Sequence, residues 1–118
     1  MGNVVLRNAA VSLRSGQLKM CVPGKNFYQA RLSAEGSIPV ESVCLDEEFS
    51  SLVGVSFIKC DAEGHEREVI EGAVKLIQRD RPVWLIETWD EDVFERMREL
   101  GYTATKLEQD WLFAMGPL

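Results

Sequence analysis

Two short apolar runs in this chain each end on a carboxylate. Residues 55–60 (VSFIKC) run into Asp61, and residues 83–86 (VWLI) run into Glu87. Just past Asp61 stand Glu63, His65 and Glu66. Carboxylates and an imidazole grouped this way can take up a proton, bind a hydroxyl or hold a cation. A histidine exchanges protons near neutral pH, which makes His65 a candidate base. In open parallel sheets ligands bind beyond the carboxyl ends of the strands. Adjacent parallel strands would therefore set Asp61 and Glu87 at one sheet edge, over a shared cleft. A plainer reading competes: the positive end of a helix favours carboxylates, and a lone His there is ordinarily a surface residue. Asp61, Glu63 and Glu87 are also metal-ligand types, but they lack a clear ligand spacing, and no metal is expected.

The elements that must position these residues change character at about residue 54. Before it, strands and turns dominate. Residues 3–12 (NVVLRNAAVS) suit a strand leading into a loop. A Ser15-Gly16 turn precedes an alternating run over 17–22 that stops at Pro23-Gly24, and 24–36 read as loop. Residues 38–45 are again extended, and 46–52 suit a single helical turn.

After residue 54, strands and helices alternate. Val69, Ile70, Ala73, Val74 and Ile77 predict one helix running to about Arg79, with Glu71 and Lys75 paired on its outer face. Pro82 ends it. Thr88 and Glu91 have capping-box spacing ahead of a stripe of Val93, Phe94, Met97 and Leu100, and Gly101 supplies the left-handed stop. Residues 102–107 and 111–115 form a closing hairpin. The expected fold is α/β, a single domain over 1–118 with a strand-rich segment (1–54) and a strand-helix-strand-helix-hairpin segment (55–118).

Composition agrees with a single globular domain. The 118 residues are 46% hydrophobic and 27% charged, enough to bury a core without staples. Thirteen basic residues face nineteen acidic ones, a formal charge of -6 that repels phosphate backbones and anionic membranes, so neither is an expected partner. No run approaches a membrane span and no signal peptide is evident, so a soluble, cytoplasmic protein is expected. Cys21, Cys44 and Cys60 are too widely spaced for a CxxC-type site and read as reduced core thiols.

The string FIKCDAEGHEREVIEGAVKLIQRDRPVWLIET resembles, nearly end to end, the C-terminal core of FkbM-type methyltransferases, which use S-adenosylmethionine. That pattern has an apolar strand, D-x-E-G-x-E, a helix carrying Gly, then R-P and an apolar strand ending in Glu. Asp61, Glu63, Gly64, Glu66, Gly72, Pro82 and Glu87 fall on it. The upstream VCLDEEF is similar to the family's segment before that strand, with Cys44 in place of threonine. NVVLRNAAVS resembles its third sheet strand and following loop. The family's first strand, Gly-rich loop and ribose-binding acid have no counterpart here, since Gly16, Gly24 and Gly36 are isolated turn glycines. The chain therefore looks like the family's second half alone.

The resemblance implies a partial Rossmann-like class I methyltransferase fold: a mixed sheet with mainly parallel central strands and a C-terminal antiparallel hairpin. It implies O-methyl transfer to a hydroxyl on a small molecule or glycan, with Asp61 facing the transfer site, Glu63 and Glu66 towards substrate, and Glu87 supporting them. His65 is not required by the family pattern. Asn8, Ala9 and Asp61 become the cofactor-side candidates. Without the Gly-rich half, inactivity and weak S-adenosylmethionine binding are expected. Losing the first strand would also bare one edge of VSFIKC, which NVVLRN or IPVESVCL could cover, and a homodimer or the missing N-terminal half is the expected partner. A non-enzymatic assembly module and an acid-lined, metal-binding hydrolytic domain are the alternatives.

Overall fold

A computed structural model of the chain describes residues 2–21, 31–33 and 36–116. The expected Pro23-Gly24 turn and most of the 24–36 loop lie outside the described residues. The strand-rich segment builds a sheet of its own. Its strands are β1 (Ala10–Val11), β2 (Gly16–Cys21), β3 (Arg31–Leu32) and β4 (Ile38–Val43), in the order β1-β4-β2-β3. Only β1 and β4 are parallel there. The remainder is α1 (Leu45–Glu48), β5 (Phe57–Cys60), α2 (Glu66–Glu71), α3 (Val74–Asp80), β6 (Val83–Ile86), α4 (Glu91–Glu99), β7 (Thr103–Leu107) and β8 (Asp110–Ala114).

The second sheet has the order β5-β6-β8-β7. Its β5 and β6 are parallel, with Cys60 opposite Ile86, whereas β6-β8 and β8-β7 are antiparallel. The expected mixed α/β fold with a closing hairpin is present, divided between two sheets. Trp84 and Ile86 on β6 and Phe113 on β8 are fully buried with Val69, Ile70, Ile77, Val93 and Met97 from the helices. The alternate positions Val83 and Leu85 are only half-buried, and Phe57 beside them is 53% exposed. One face of this sheet is thus a packed core and the other is thinly covered.

Four local expectations are corrected. The strand over 3–12 shrinks to Ala10–Val11, leaving Val5 and Leu6 more than nine-tenths exposed. Apolar character alone does not make a strand where no neighbour offers a ladder. Neither NVVLRN nor IPVESVCL covers β5, because β1 and β4 pair within the first sheet; among the described residues β5 pairs with β6 only.

The third correction concerns the predicted helix over 66–79, which breaks at Gly72-Ala73 into α2 and α3. A Cβ on Gly72 would stand 2.3 Å from the Ser12 carbonyl oxygen, so the two segments meet here at backbone distance. Asp46 crosses the same seam: its N–H donates to the Gly72 carbonyl, and its carboxylate accepts from the N–H groups of Lys75 and Leu76 at the start of α3. With the helix broken, Glu71 pairs with Arg96 on α4 rather than with Lys75. Fourth, the α4 cap is Asp90, whose carboxylate accepts from Asp92 N–H, while the Thr88 hydroxyl accepts from Asp90 N–H. Two short side chains in series displace the expected capping box by two residues. Gly101 does take the left-handed stop, at φ 103°.

Candidate functional site

The parallel register of β5 and β6 carries Asp61 and Glu87 to the same end of the sheet. Both are exposed, and both line a cleft of about 240 Å³ with Glu63, Gly64, Glu66, Thr88, Trp89 and Asp90. Asp61 and Glu63 also border a second, larger and mostly apolar cavity of about 390 Å³. Val11, Met20 and Leu32 of the first sheet line it, as do Ile58 and Cys60 of β5. Asp61 thus stands at the junction of an acidic cleft and an apolar chamber.

The Asp61–His65 turn is held open by its own sequence. Glu63 and Gly64 both adopt positive φ, 46° and 93°, a conformation that costs little only for glycine. Glu66 is 5% exposed, and its carboxylate accepts from the N–H groups of Ala62 (2.8 Å) and Gly64 (3.1 Å). Its oxygens are spent on the loop, so Glu66 positions Asp61 and Glu63 rather than offering a free carboxylate. Across the cleft, Arg67 bridges Asp90 and Asp92 at 3.0 Å each, tying α2 to the start of α4.

His65 is placed elsewhere. Its Nε2 lies 2.7 Å from the Ser12 hydroxyl and its Nδ1 3.4 Å from Glu68 Oε2. It lines a separate cavity with Gln17, Leu18, Lys19, Leu32 and Ser33. With Nε2 engaged by Ser12 outside the acidic cleft, the ring ties the first segment to the start of α2. The candidate base reading is set aside, and nothing local signals this, because the partner lies 53 residues away.

Asn8 and Ala9 do not line the apolar chamber; Ala10 and Val11, one strand step further on, do. The displacement follows from the shortening of the expected N-terminal strand. The three cysteines are free, and the Cys60 thiol at the chamber wall is pushed up to about 12, chiefly by burial and then by Glu66 and Asp61. It is a packed thiol, not a nucleophile. Among the described residues no three His, Cys, Asp or Glu side chains gather as a metal site. No helix among them is long and apolar enough to cross a membrane.

The sequence pattern of the methyltransferase FkbM domain matches residues 5–104. The chain belongs to the FkbM methyltransferase family. Its fold is similar to the crystal structure of methyltransferase FkbM from Methylobacillus flagellatus KT, with a TM-score of 0.62 at 14% identity. That likeness covers 95% of this chain and 28% of the other. No curated protein matches the sequence. Within the FkbM frame, the D-x-E-G-x-E pattern falls on Asp61–Glu66, the turn from the end of β5 into α2.

The residues present suit only part of the family's cofactor. Val11, Met20, Leu32 and Ile58 offer an apolar wall for a flat base. Asp61 and Glu63 stand at its edge, but a glycine-rich strand-loop-helix to bring backbone close to a ligand does not accompany them in this sequence.

Proposed function

We propose that this chain is the acceptor-side half of an S-adenosylmethionine-dependent O-methyltransferase, inactive until a cofactor-binding half completes it. One observation carries the reading: Asp61 borders both the apolar chamber and the acidic cleft it shares with Glu87. When bound, the cofactor supplies an electrophilic methyl group. Asp61 accepts the hydrogen bond, and then the proton, of the attacking hydroxyl. Glu87 on the β6 side and Glu63 beside Asp61 orient that hydroxyl, and alignment of this kind is where much of the rate originates. Glu66 keeps the loop in register, and the acceptor is a hydroxyl on a small molecule or glycan.

Calorimetry with S-adenosylmethionine tests this, first on the chain alone and then with the part of the M. flagellatus methyltransferase that lies outside the matched 28% added. The chain alone is expected to bind more weakly than roughly 10 μM, about -7 kcal/mol. Addition of the other half is expected to restore binding and methyl transfer. Binding tighter than that limit by the isolated chain would overturn the split reading.

Among the described residues one edge of β5 has no partner strand, and that edge and the thinly covered face behind Phe57 call for a cover, because an open apolar edge templates aggregation. In the absence of a cofactor half, a second copy about a two-fold axis is the simplest one. Sedimentation is then expected to give a dimer at high micromolar concentration, and a persistent 13.3 kDa monomer would exclude it.

A further inference from the structure

Trp89 follows Glu87 by two residues and is 71% exposed, an unusual position for so large an apolar ring. It belongs to a cluster. Its ring meets Trp111 edge-on at 6.4 Å, and Trp111 meets Phe94 edge-on at 4.9 Å. Strand register places this cluster at the acidic end of the sheet, because Ile86, Trp111 and Lys106 are successive cross-strand partners. A cavity of about 580 Å³ lies over it, with Glu91, Glu95 and Arg98 of α4 along its rim. Trp89 lines this cavity and the Asp61–Glu87 cleft alike.

From this arrangement we infer that Trp89, Trp111 and Phe94 form a stacking platform for a neutral sugar ring, which presents its hydroxyl to the adjacent acidic cleft. The inference rests on the acceptor-side reading given above and names the acceptor class. Elimination leads there. The net charge of -6 and the glutamate rim disfavour an anion. A cation is disfavoured because the cationic place is already filled: Lys106 Nζ sits 4.2 Å from the Trp89 ring centroid and 5.1 Å from that of Trp111. A tethered ammonium competes at high effective concentration. A wholly apolar ligand would draw the Glu95–Arg98 ion pair (2.7 Å) and Glu91 out of water at the rim and cost their desolvation. A pyranose satisfies both demands, with C–H groups on one face to stack on indole and hydroxyls around its edge for Glu91, Glu95 and Arg98.

Saturation-transfer NMR on the 118-residue chain tests this with maltotetraose, cellotetraose and laminaritetraose, and with tetramethylammonium chloride as the cationic comparison. At least one oligosaccharide is expected to receive saturation on its ring protons. Trp89→Ala should weaken that binding by about tenfold or more, equivalent to about 1.4 kcal/mol, and Trp89→Phe should retain most of it. The exposed position of Trp89 leaves the fold of both variants intact, which amide dispersion in the same spectra verifies. Binding by none of the three sugars, binding indifferent to Trp89→Ala, or binding of tetramethylammonium alone would each overturn the inference. Because no methyl donor is present, failure here leaves the methyl-transfer reading standing, and failure of methyl transfer leaves the platform standing.

Discussion

Replacement of Trp84 by Ala is expected to cost about 3–5 kcal/mol, a large share of the roughly 5–15 kcal/mol that holds a domain of this size folded. Trp84 is fully buried at the centre of the second sheet, between Ile58 on β5 and Phe113 on β8. It packs in the same cluster as Val69, Ile70, Ile77, Val93 and Met97. Truncation removes contacts within this cluster and leaves a cavity between the sheet and α2, α3 and α4. Thermal melting should fall by about 10–20 °C. A variant within about 1 kcal/mol of the parent would mean that this face of the sheet is not packed as described.

The second large effect is expected at Gly72. Its α-carbon faces the Ser12 carbonyl, and an added Cβ would also lie 3.0 Å from Cys44 Cβ. The obstruction is backbone, which cannot rotate away as a side chain can. Gly72→Ala should cost roughly 1–3 kcal/mol and Gly72→Val more, by forcing the first segment off the helices. The loss should appear as faster amide exchange in β1 and β4, with β6 and β8 less affected. Equal protection in all four strands of the Val variant would show that the seam is not where the two segments are held together.

These two residues also show what could be read from the sequence. β5 and β6 were legible as apolar runs ending on acids, and a parallel crossover then requires Asp61 and Glu87 to share an edge. The closing hairpin and the Gly101 stop were legible for the same reason, since their signals are local. The break at Gly72 was not, because the apolar period of Val69, Ile70, Ala73, Val74 and Ile77 continues straight across it. Its cause is a carbonyl sixty residues upstream. His65 is a similar case, for its partner Ser12 is equally remote. The missing N-terminal strand reflects the limit of apolarity as a signal, since Val5 and Leu6 have strand-forming chemistry and no ladder to join. Nothing local in the sequence set Trp89 apart, and only the tertiary fold brings its ring against Trp111.

The seam between the two segments has a consequence for how the protein is made. Residues 10–48 leave the ribosome before residues 55–114, yet the surface they rest on is built from α2 and α3, and the core beneath those helices is completed only by β8. At about 5–20 residues per second, residues 55–114 take roughly 3–12 s to follow. During that interval Val11, Met20 and Val43 have only their own small sheet for shelter. A four-stranded sheet whose outer strands are two residues long is a poor shelter. Synthesis therefore passes through a stage in which residues 10–48 wait, apolar side outward, for residues 55–114, and that stage is the natural point of entry for a ribosome-associated chaperone.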